Sequence, residues 1–555
     1  MAEMIEDYLA QRLKEAGVKR FFGIPGGPSI QWMEAFRKAG IEFILATHES
    51  SAAMMADVTA RLTGVTGVCH ATFGPGAVNL ASGVGGALLD RVPMLALTTE
   101  MPDGWLGRTA QMNIDHQALF RPLTKATFRL NPGNAEEVIS RSLELAKQEY
   151  PGPVHIGLPS DLAGSKVRYQ HDISGTVPMN PERKSGVVKK PVGSPLNGNE
   201  GNSLENSGRG CIYGRAEVLI SSARRPLIAA GLTAMRTGAG QALVQFLENH
   251  GVPVVVTPMA RGIIPSDHPC YAGVLFHALS NRLEKLIGAA DLVIGLGYDP
   301  VEYNYESWLP DVPLVHFDTK SPDLMIKGAI DFVSEPEEWF SVLSALRSSP
   351  DMTALAAETR KDIRDGLFRD SPGFSPVEAI SVLREMLPAE TTVTADVGSH
   401  LHMLGQMWDV QNGNLIMTKG WSSMGFGLPA AVAAAFADRR HHVACVTGDG
   451  GFLMHAGELI TARRHGLKII VVVFSDGELN LIKVKQSWKK VNPYGIQVCT
   501  GPLFGADRFL GVDVIHVNDR AEMKAALGKA LHSGGSVIIE AAVNPALYGE
   551  LIVRS

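Results

Sequence analysis

Cysteine is scarce. The 555-residue chain has five (Cys69, Cys211, Cys270, Cys445 and Cys499), scattered and with no C-x-x-C pair. A disulfide framework and a thiolate zinc site are thereby excluded, and a reducing, cytoplasmic setting is expected. Positive charge is not in excess either. The 51 Lys and Arg residues stand against 57 Asp and Glu, a formal net charge of −6, so the basic footprint of a nucleic-acid binder is missing. No apolar run reaches the ~18 residues that a membrane-spanning helix needs. The first residues, MAEMIEDYLAQRLKEAG, are acidic and amphipathic, with Ile5, Leu9 and Leu13 on one face, unlike a signal peptide. What the chain does have is a hydrophobic content of 45% against 19% charged residues, ample for several cores. Its length suggests three or four domains.

The densest pattern lies between Val443 and Gln486. An apolar strand, Val443 to Thr447, ends in Gly448-Asp449-Gly450-Gly451. A helix is expected over Ala456 to His465, and a second apolar strand over Lys468 to Phe474. This is a βαβ unit whose loops gather at the carboxyl ends of parallel strands. Asp449 and Asp476 punctuate the two strand ends, 27 residues apart. Two hard oxygen ligands beside a glycine turn suit Mg2+ holding a diphosphate. The glycines let backbone N–H groups approach phosphate oxygens. Taken alone, the same turn also ends ordinary doubly wound strands with a solvated Asp.

Residues 1–165 alternate helix and strand, with strands expected at Val18–Phe22, Phe43–Ala46, Gly67–Ala71, Val92–Thr98 and Val154–Leu158. Such alternation means a parallel sheet covered on both faces. The strand ends carry Gly23-Ile24-Pro25-Gly26-Gly27, Thr47-His48-Glu49 and Phe73-Gly74-Pro75-Gly76. Glu49 falls between strand and helix, where an open α/β sheet exposes functional side chains. A first-turn carboxylate complementing the helix dipole is the other reading. Residues 166–205, rich in Pro, Gly, Ser, Asn and charge, read as a flexible linker. Residues 206–348 form a second α/β unit, with strands at Leu227–Ala230, Val254–Thr257, Leu292–Leu296 and Leu314–Phe317. Residues 370–545 form a third, in which the strand Val393–Ala395 delivers Asp396-Val397-Gly398-Ser399-His400 ahead of the 443–486 stretch. The expected fold is α/β, with three doubly wound parallel-sheet domains.

Over nearly the whole length these motifs resemble those of thiamine-diphosphate enzymes, and among them the acetolactate synthase branch. The resemblance implies a pyrimidine-binding domain at 1–165, a middle domain at 206–348 and a diphosphate-binding domain at 370–545. It implies Asp449, Asp476 and the carbonyl of Glu478 as Mg2+ ligands, and Gly448, Gly450, Gly451, Ser399 and His400 as neighbours of thiamine diphosphate. Most members have Asn where this chain has Asp476, although the catabolic acetolactate synthases also use Asp; Ser475 and Gly477 depart as well. Gly23-Ile24-Pro25-Gly26, His48-Glu49, Gly74-Pro75-Gly76 and Gln111 match the pyrimidine domain. There a Glu polarises the aminopyrimidine, whose imino form then removes the thiazolium C2 proton. Glu49 takes that place, and Gly26 and Gly74 belong to the same cofactor surroundings. A partly buried Glu with a raised pKa would serve well. Trp421-Ser422-Ser423-Met424-Gly425-Phe426-Gly427-Leu428-Pro429 resembles the Gly-Thr-Met-Gly-Phe-Gly-Leu-Pro run of acetolactate synthases. That likeness implies Met424, beside Ser423, as the prop that bends the cofactor; a lone Met is otherwise core filler.

On the substrate side, Gln111 and Asp115 match the family's Gln-x-x-x-Asp, and Gly26 and Gly27 would line the same pocket. His70, four residues before Gly74, stands where acetolactate synthases carry a small residue and benzoylformate decarboxylase a His. It reads equally as a proton shuttle and as a buried structural histidine. His116, His400 and His402 are further candidates. The segment Gly297 to Tyr303 resembles catabolic acetolactate synthases, which argues against FAD. Ser160 stands where the biosynthetic synthases often have Lys, and the segment after Lys485 diverges from their lid, so the donor and acceptor stay open. The implied activity is a carboligase that decarboxylates a 2-oxo acid and adds the resulting unit to a second carbonyl compound. A simple decarboxylase releasing aldehyde, with His70 as proton donor, is one alternative. A non-catalytic nucleotide-binding homologue is another. Because the Glu-bearing and diphosphate-binding domains of one chain usually serve different sites in this family, a homodimer is implied at minimum, and a tetramer is compatible.

Overall fold

Runs of Val, Ile and Ala without alternation give strands buried on both faces, and three sets of them make three sheets. The structure is a computed structural model that describes residues 3–169, 214–302, 308–321, 329–410 and 413–553. The first sheet holds β1 (Arg20–Ile24), β2 (Glu42–Leu45), β3 (Gly67–Ala71), β4 (Met94–Glu100), β5 (Ala126–Arg129) and β6 (Pro153–Pro159), in the order β2-β1-β3-β4-β6-β5. The second holds β7 (Pro226–Ala230), β8 (Val254–Val256), β9 (Tyr271–Val274), β10 (Leu292–Leu296), β11 (Leu314–Asp318) and β12 (Ile330–Val333), in the order β12-β11-β10-β7-β8-β9. The third holds β13 (Thr392–Ala395), β14 (Leu415–Ile416), β15 (Val443–Gly448), β16 (Ile469–Ser475), β17 (Arg508–Phe509), β18 (Val512–Val517) and β19 (Val537–Ala542), in the order β14-β13-β15-β16-β19-β18-β17. All pairings are parallel except the edge pair of β17 with β18. The strand order reverses between β1 and β3 in the first sheet, between β10 and β7 in the second and between β13 and β15 in the third, and such a reversal opens a crevice at the carboxyl ends of the two strands.

Two helices of the first unit and one of the third hold the sheets together. They are α1 (Glu49–Thr63), α2 (Pro75–Leu89) and, in the third unit after α3 (Ser399–Met407), α4 (Gly427–Ala437). Residues 427–436 are all buried, as expected of a helix that is apolar all round. Ala52, Ala53 and Ala56 of α1 share one core with Ala430, Ala433 and Ala434 of α4. Small side chains also let α2 approach α1: a Cβ at Gly83 of α2 would lie 2.5 Å from the Ala53 Cβ. Arg61 of α1 adds a polar seam. It bonds Asp57 and Asp90, and its Nη1 donates to the Met417 carbonyl at 2.7 Å, while Asp90 accepts the Gly420 N–H at 2.8 Å.

Several expectations shift. The helix expected over Ala456–His465 starts earlier, because α5 (Asp449–His455) begins directly at the glycine turn and α6 (Glu458–Arg464) follows after a break at 456–457. β5, β9, β12, β14, β17, β18 and β19 are not read from the sequence, five of them being four residues long or shorter. Most of the linker, from residue 170, lies outside the described residues, as do Tyr303 and Cys211. No described helix is long and apolar enough to cross a membrane.

Candidate active site

The third sheet reverses order between β13 and β15, and a cavity opens above their carboxyl ends and that of β16. Its lining comes from residues 397–400 after β13, Met424, the Gly448–Gly451 turn, Asp476, residues 478–482, and Tyr548 near the chain's end. Asp449 opens α5, where its carboxylate complements the helix dipole. Its Oδ1 accepts the Gly450 N–H at 2.6 Å and its Oδ2 the Gly477 N–H at 2.7 Å. Asp476 Oδ1 accepts the Glu478 N–H at 3.1 Å and the Asn480 amide at 2.7 Å. Burial raises the pKa of Asp449. Burial first, and the neighbouring Asp449 charge second, push Asp476 up to about 7. Two carboxylates sharing one cavity, Asp449 buried and Asp476 half-buried, repel, and a divalent cation between them would remove that cost. The Glu478 carbonyl accepts the Asn480 N–H at 2.9 Å and keeps a second lone pair.

Ser399 Oγ and His400 Nε2 line the same cavity, buried and without a hydrogen-bond partner. Buried polar atoms are rarely left so; the Ser399 hydroxyl can donate to an anionic group such as a diphosphate beside the glycine turn, whereas the His400 ring, bonded to the Asp396 backbone through Nδ1, offers Nε2 as an acceptor. Burial holds His400 down at about 4. Room is made by glycine: a Cβ at Gly451 would lie 2.4 Å from Asp396 Oδ2, and one at Gly450 would lie 3.4 Å from the Met424 Cε. Met424 therefore stands over the turn. Ser423, beside it, is absent from the lining, and its hydroxyl faces the Met424 carbonyl at 3.3 Å.

The residues expected from the first sheet are elsewhere. None of Gly26, Glu49, His70, Gly74 and Gln111 lines this cavity. Glu49 is 8% exposed at the start of α1; its Oε2 accepts the Asn79 amide at 3.0 Å, and its Oε1 lies 3.2 Å from where a Gly76 Cβ would stand. Gly26 donates its N–H to Ser29 Oγ at 3.1 Å. Gly74, at φ 69°, takes a backbone form that favours glycine and donates its N–H to His116 Nε2 at 3.3 Å. Gln111 is exposed. His70 is inside β3. Its Nδ1 donates to the Leu97 carbonyl at 3.1 Å, its Nε2 accepts from the Ser29 hydroxyl at 2.7 Å, and burial pushes its pKa down to about 4. Glu100, His116 and His155 approach one another, but Thr98 Oγ1 sits 2.8 Å from a ring nitrogen of each histidine.

Sequence reasoning missed Asp396. This buried carboxylate accepts the Gly425 N–H at 2.8 Å and the Thr447 hydroxyl at 2.8 Å, and so fixes the turn that carries Met424; burial pushes it up to about 6. Its place at the end of β13, one residue before the cavity lining begins, was the available signal. Asn480 and Tyr548 were missed as well.

Residues 4–119, 214–338 and 396–541 match, in turn, the N-terminal TPP binding, central and C-terminal TPP binding domains described for thiamine pyrophosphate enzymes. The chain belongs to the thiamine pyrophosphate enzymes. This thiamine pyrophosphate enzyme is similar to a probable acetolactate synthase large subunit of Methanocaldococcus jannaschii, at 28% identity over 97% of this chain and 91% of that one. It is also similar to the acetolactate synthase isozyme 2 large subunit of Escherichia coli, at 29% over 97% and 95%. A third relative is the acetolactate synthase of Arthrospira platensis, at 29% over 96% and 93%. The family's cofactor, thiamine diphosphate, fits the unpartnered Ser399 hydroxyl and the glycine turn at Asp449.

Proposed function

We propose that this enzyme is a carboligase of the acetolactate synthase kind, which decarboxylates one 2-oxo acid and joins the remaining unit to a second carbonyl compound. The cavity after β13, β15 and β16 is the observation that carries this reading, because its carboxylates, unpartnered Ser399 hydroxyl, glycine turn and overhanging Met424 suit thiamine diphosphate and Mg2+ together. Asp449, Asp476 and the Glu478 carbonyl hold the Mg2+; Ser399 and the Gly448–Gly451 backbone hold the diphosphate, with His400 beside them. Bound there, the thiazolium supplies the electron sink for loss of CO2. Met424 bounds the cavity and orients what enters it. Glu49 offers Oε1 to the chemistry, since Asn79 occupies Oε2. The two hydrogen bonds at His70 favour a fixed neutral ring over a proton donor.

A second copy of the chain supplies the missing pyrimidine side. The cavity takes no residue from the first sheet, and exposed apolar side chains (Ile30, Val78, Leu453 and Met454) surround the segments bearing Glu49 and Asp449. A homodimer is therefore the smallest working unit, and a tetramer is compatible. FAD is left out of this reading, because the buried Glu302 carboxylate accepts the Leu232 N–H at 3.0 Å and the Met259 N–H at 2.7 Å, donors that a dinucleotide phosphate would need. The unpaired Cys69, Cys270, Cys445 and Cys499 accord with the cytoplasm.

Incubating the protein with Mg2+, thiamine diphosphate and a panel of aliphatic and aromatic 2-oxo acids tests the reading. Ligated products identified by mass support it. CO2 release with free aldehyde as the only product overturns it in favour of a decarboxylase.

A further inference from the structure

α5 is a seven-residue rod, about 10 Å long, and its two ends do different work. Asp449 at the start faces the cavity, while His455 at the end is 9% exposed and lies between two loops. His455 Nδ1 donates to the Gly425 carbonyl at 3.0 Å, one residue past Met424. His455 Nε2 lies 2.8 Å from Ser50 Oγ, one residue past Glu49. With its proton on Nδ1, the ring accepts the Ser50 hydroxyl proton on Nε2. The fit is close on the Gly425 side, where φ is 85° and a Cβ would lie 2.2 Å from His455 Nδ1.

The neighbours of His455 grip the same loop. A Cβ at Gly457 would meet Thr47 Oγ1 at 2.6 Å. Glu458, fully buried, accepts the Thr47 N–H at 2.9 Å and the Thr47 hydroxyl at 2.7 Å, with Thr461 as a further donor at 2.7 Å. Ser50 is also tied back to His48, whose Nδ1 lies 2.7 Å from the same hydroxyl and donates to it while that hydroxyl donates to His455 Nε2. Thr47 and Ser50 are thus held by residues 455–458, and Glu49 between them by Asn79 of α2.

We infer that His455 is a positioning residue, which fixes the loop presenting Glu49 against the Met424–Gly425 turn. The inference rests on the proposed function for the roles of Glu49 and Met424, but the tie itself is independent of any ligand. His455→Leu removes both hydrogen bonds, His455→Gln keeps a donor and an acceptor, and Ser50→Ala removes the hydroxyl alone.

Amide hydrogen exchange on the ligand-free full chain reads the tie directly. His455→Leu is expected to speed exchange in residues 47–52 and 423–427 together while β15 and β16 keep their protection. Ser50→Ala should affect only the first segment. In the loaded enzyme, His455→Leu should lower kcat about 10- to 100-fold with KM changed about threefold or less, because misplacement acts on the reacting geometry. His455→Gln should recover most of that loss. Unchanged exchange at 47–52 in His455→Leu, or a Gln variant as impaired as Leu, overturns the inference. So does a lowered melting temperature with kcat intact. If the wild type binds no thiamine diphosphate, the proposed function fails, while the exchange experiment still decides the tie.

Discussion

The Gly477 N–H donates to Asp449 Oδ2 at 2.7 Å, so the loop bearing Asp476 hangs from the carboxylate that shares its cavity. Metal binding and loop order are therefore linked. With Mg2+ and thiamine diphosphate at about 100 times their dissociation constants, the wild type should gain about 2.7 kcal/mol of stability. The gain should appear as a rise in melting temperature and vanish on adding a chelator. Asp449→Asn, which sets an amide N–H against a backbone N–H, should show no rise at all.

Glu49 meets no residue of the cavity, yet its carboxyl is nearly buried and has Asn79 on one oxygen only. Glu49→Gln should leave calorimetric binding of thiamine diphosphate nearly intact while turnover falls about 10²- to 10⁴-fold, the usual worth of a positioned acid–base group. Unchanged turnover would remove Glu49 from the chemistry.

Arg61 lies between the buried Asp57 and Asp90, and its loss would leave two carboxylates without their cation. Arg61→Met should therefore cost about 3–5 kcal/mol in denaturant unfolding, as breaking a buried ion pair does. A cost near zero would show that water reaches the site.

His70 gives a pH signature. The unfolded chain takes up this proton near 6.5, whereas the folded chain, with the ring buried, does so only at about 4. The stabilisation is complete above 6.5 and is lost as the pH falls toward 4. Between pH 7 and 5, the wild type should lose about 2 kcal/mol more than His70→Gln, at 1.36 kcal/mol per pKa unit. Urea unfolding at the two pH values measures it. Equal losses would mean that the ring is protonated in the folded chain.

Local motifs made much of the site legible. Asp449, Asp476 and the glycines between which they sit are strand-end residues, and the strands that carry them announce themselves as apolar runs. The beginning of α5 was not legible, because Gly450 and Gly451 are poor helix formers. Tertiary room decides there instead, since any side chain at Gly451 would strike Asp396. His455 and Glu458 were hidden for another reason. Their partners Ser50 and Thr47 are 405 and 411 residues away in sequence, and no pattern within a window of the chain reports such a pairing. Asp396 stood in view at the end of β13, but a buried strand-end carboxylate that bonds a distant turn looks, in sequence, like any other loop acid.

Asp90 accepts the Gly420 N–H across 330 residues, and that span sets an order of events during synthesis. The ribosome adds about 5–20 residues per second, so the first sheet waits tens of seconds for the segment that covers α1. Until α4 emerges, the alanine face of α1 and the Arg61 seam are open to water and to other nascent chains. The early N-terminal intermediate is the species that a chaperone would need to shield.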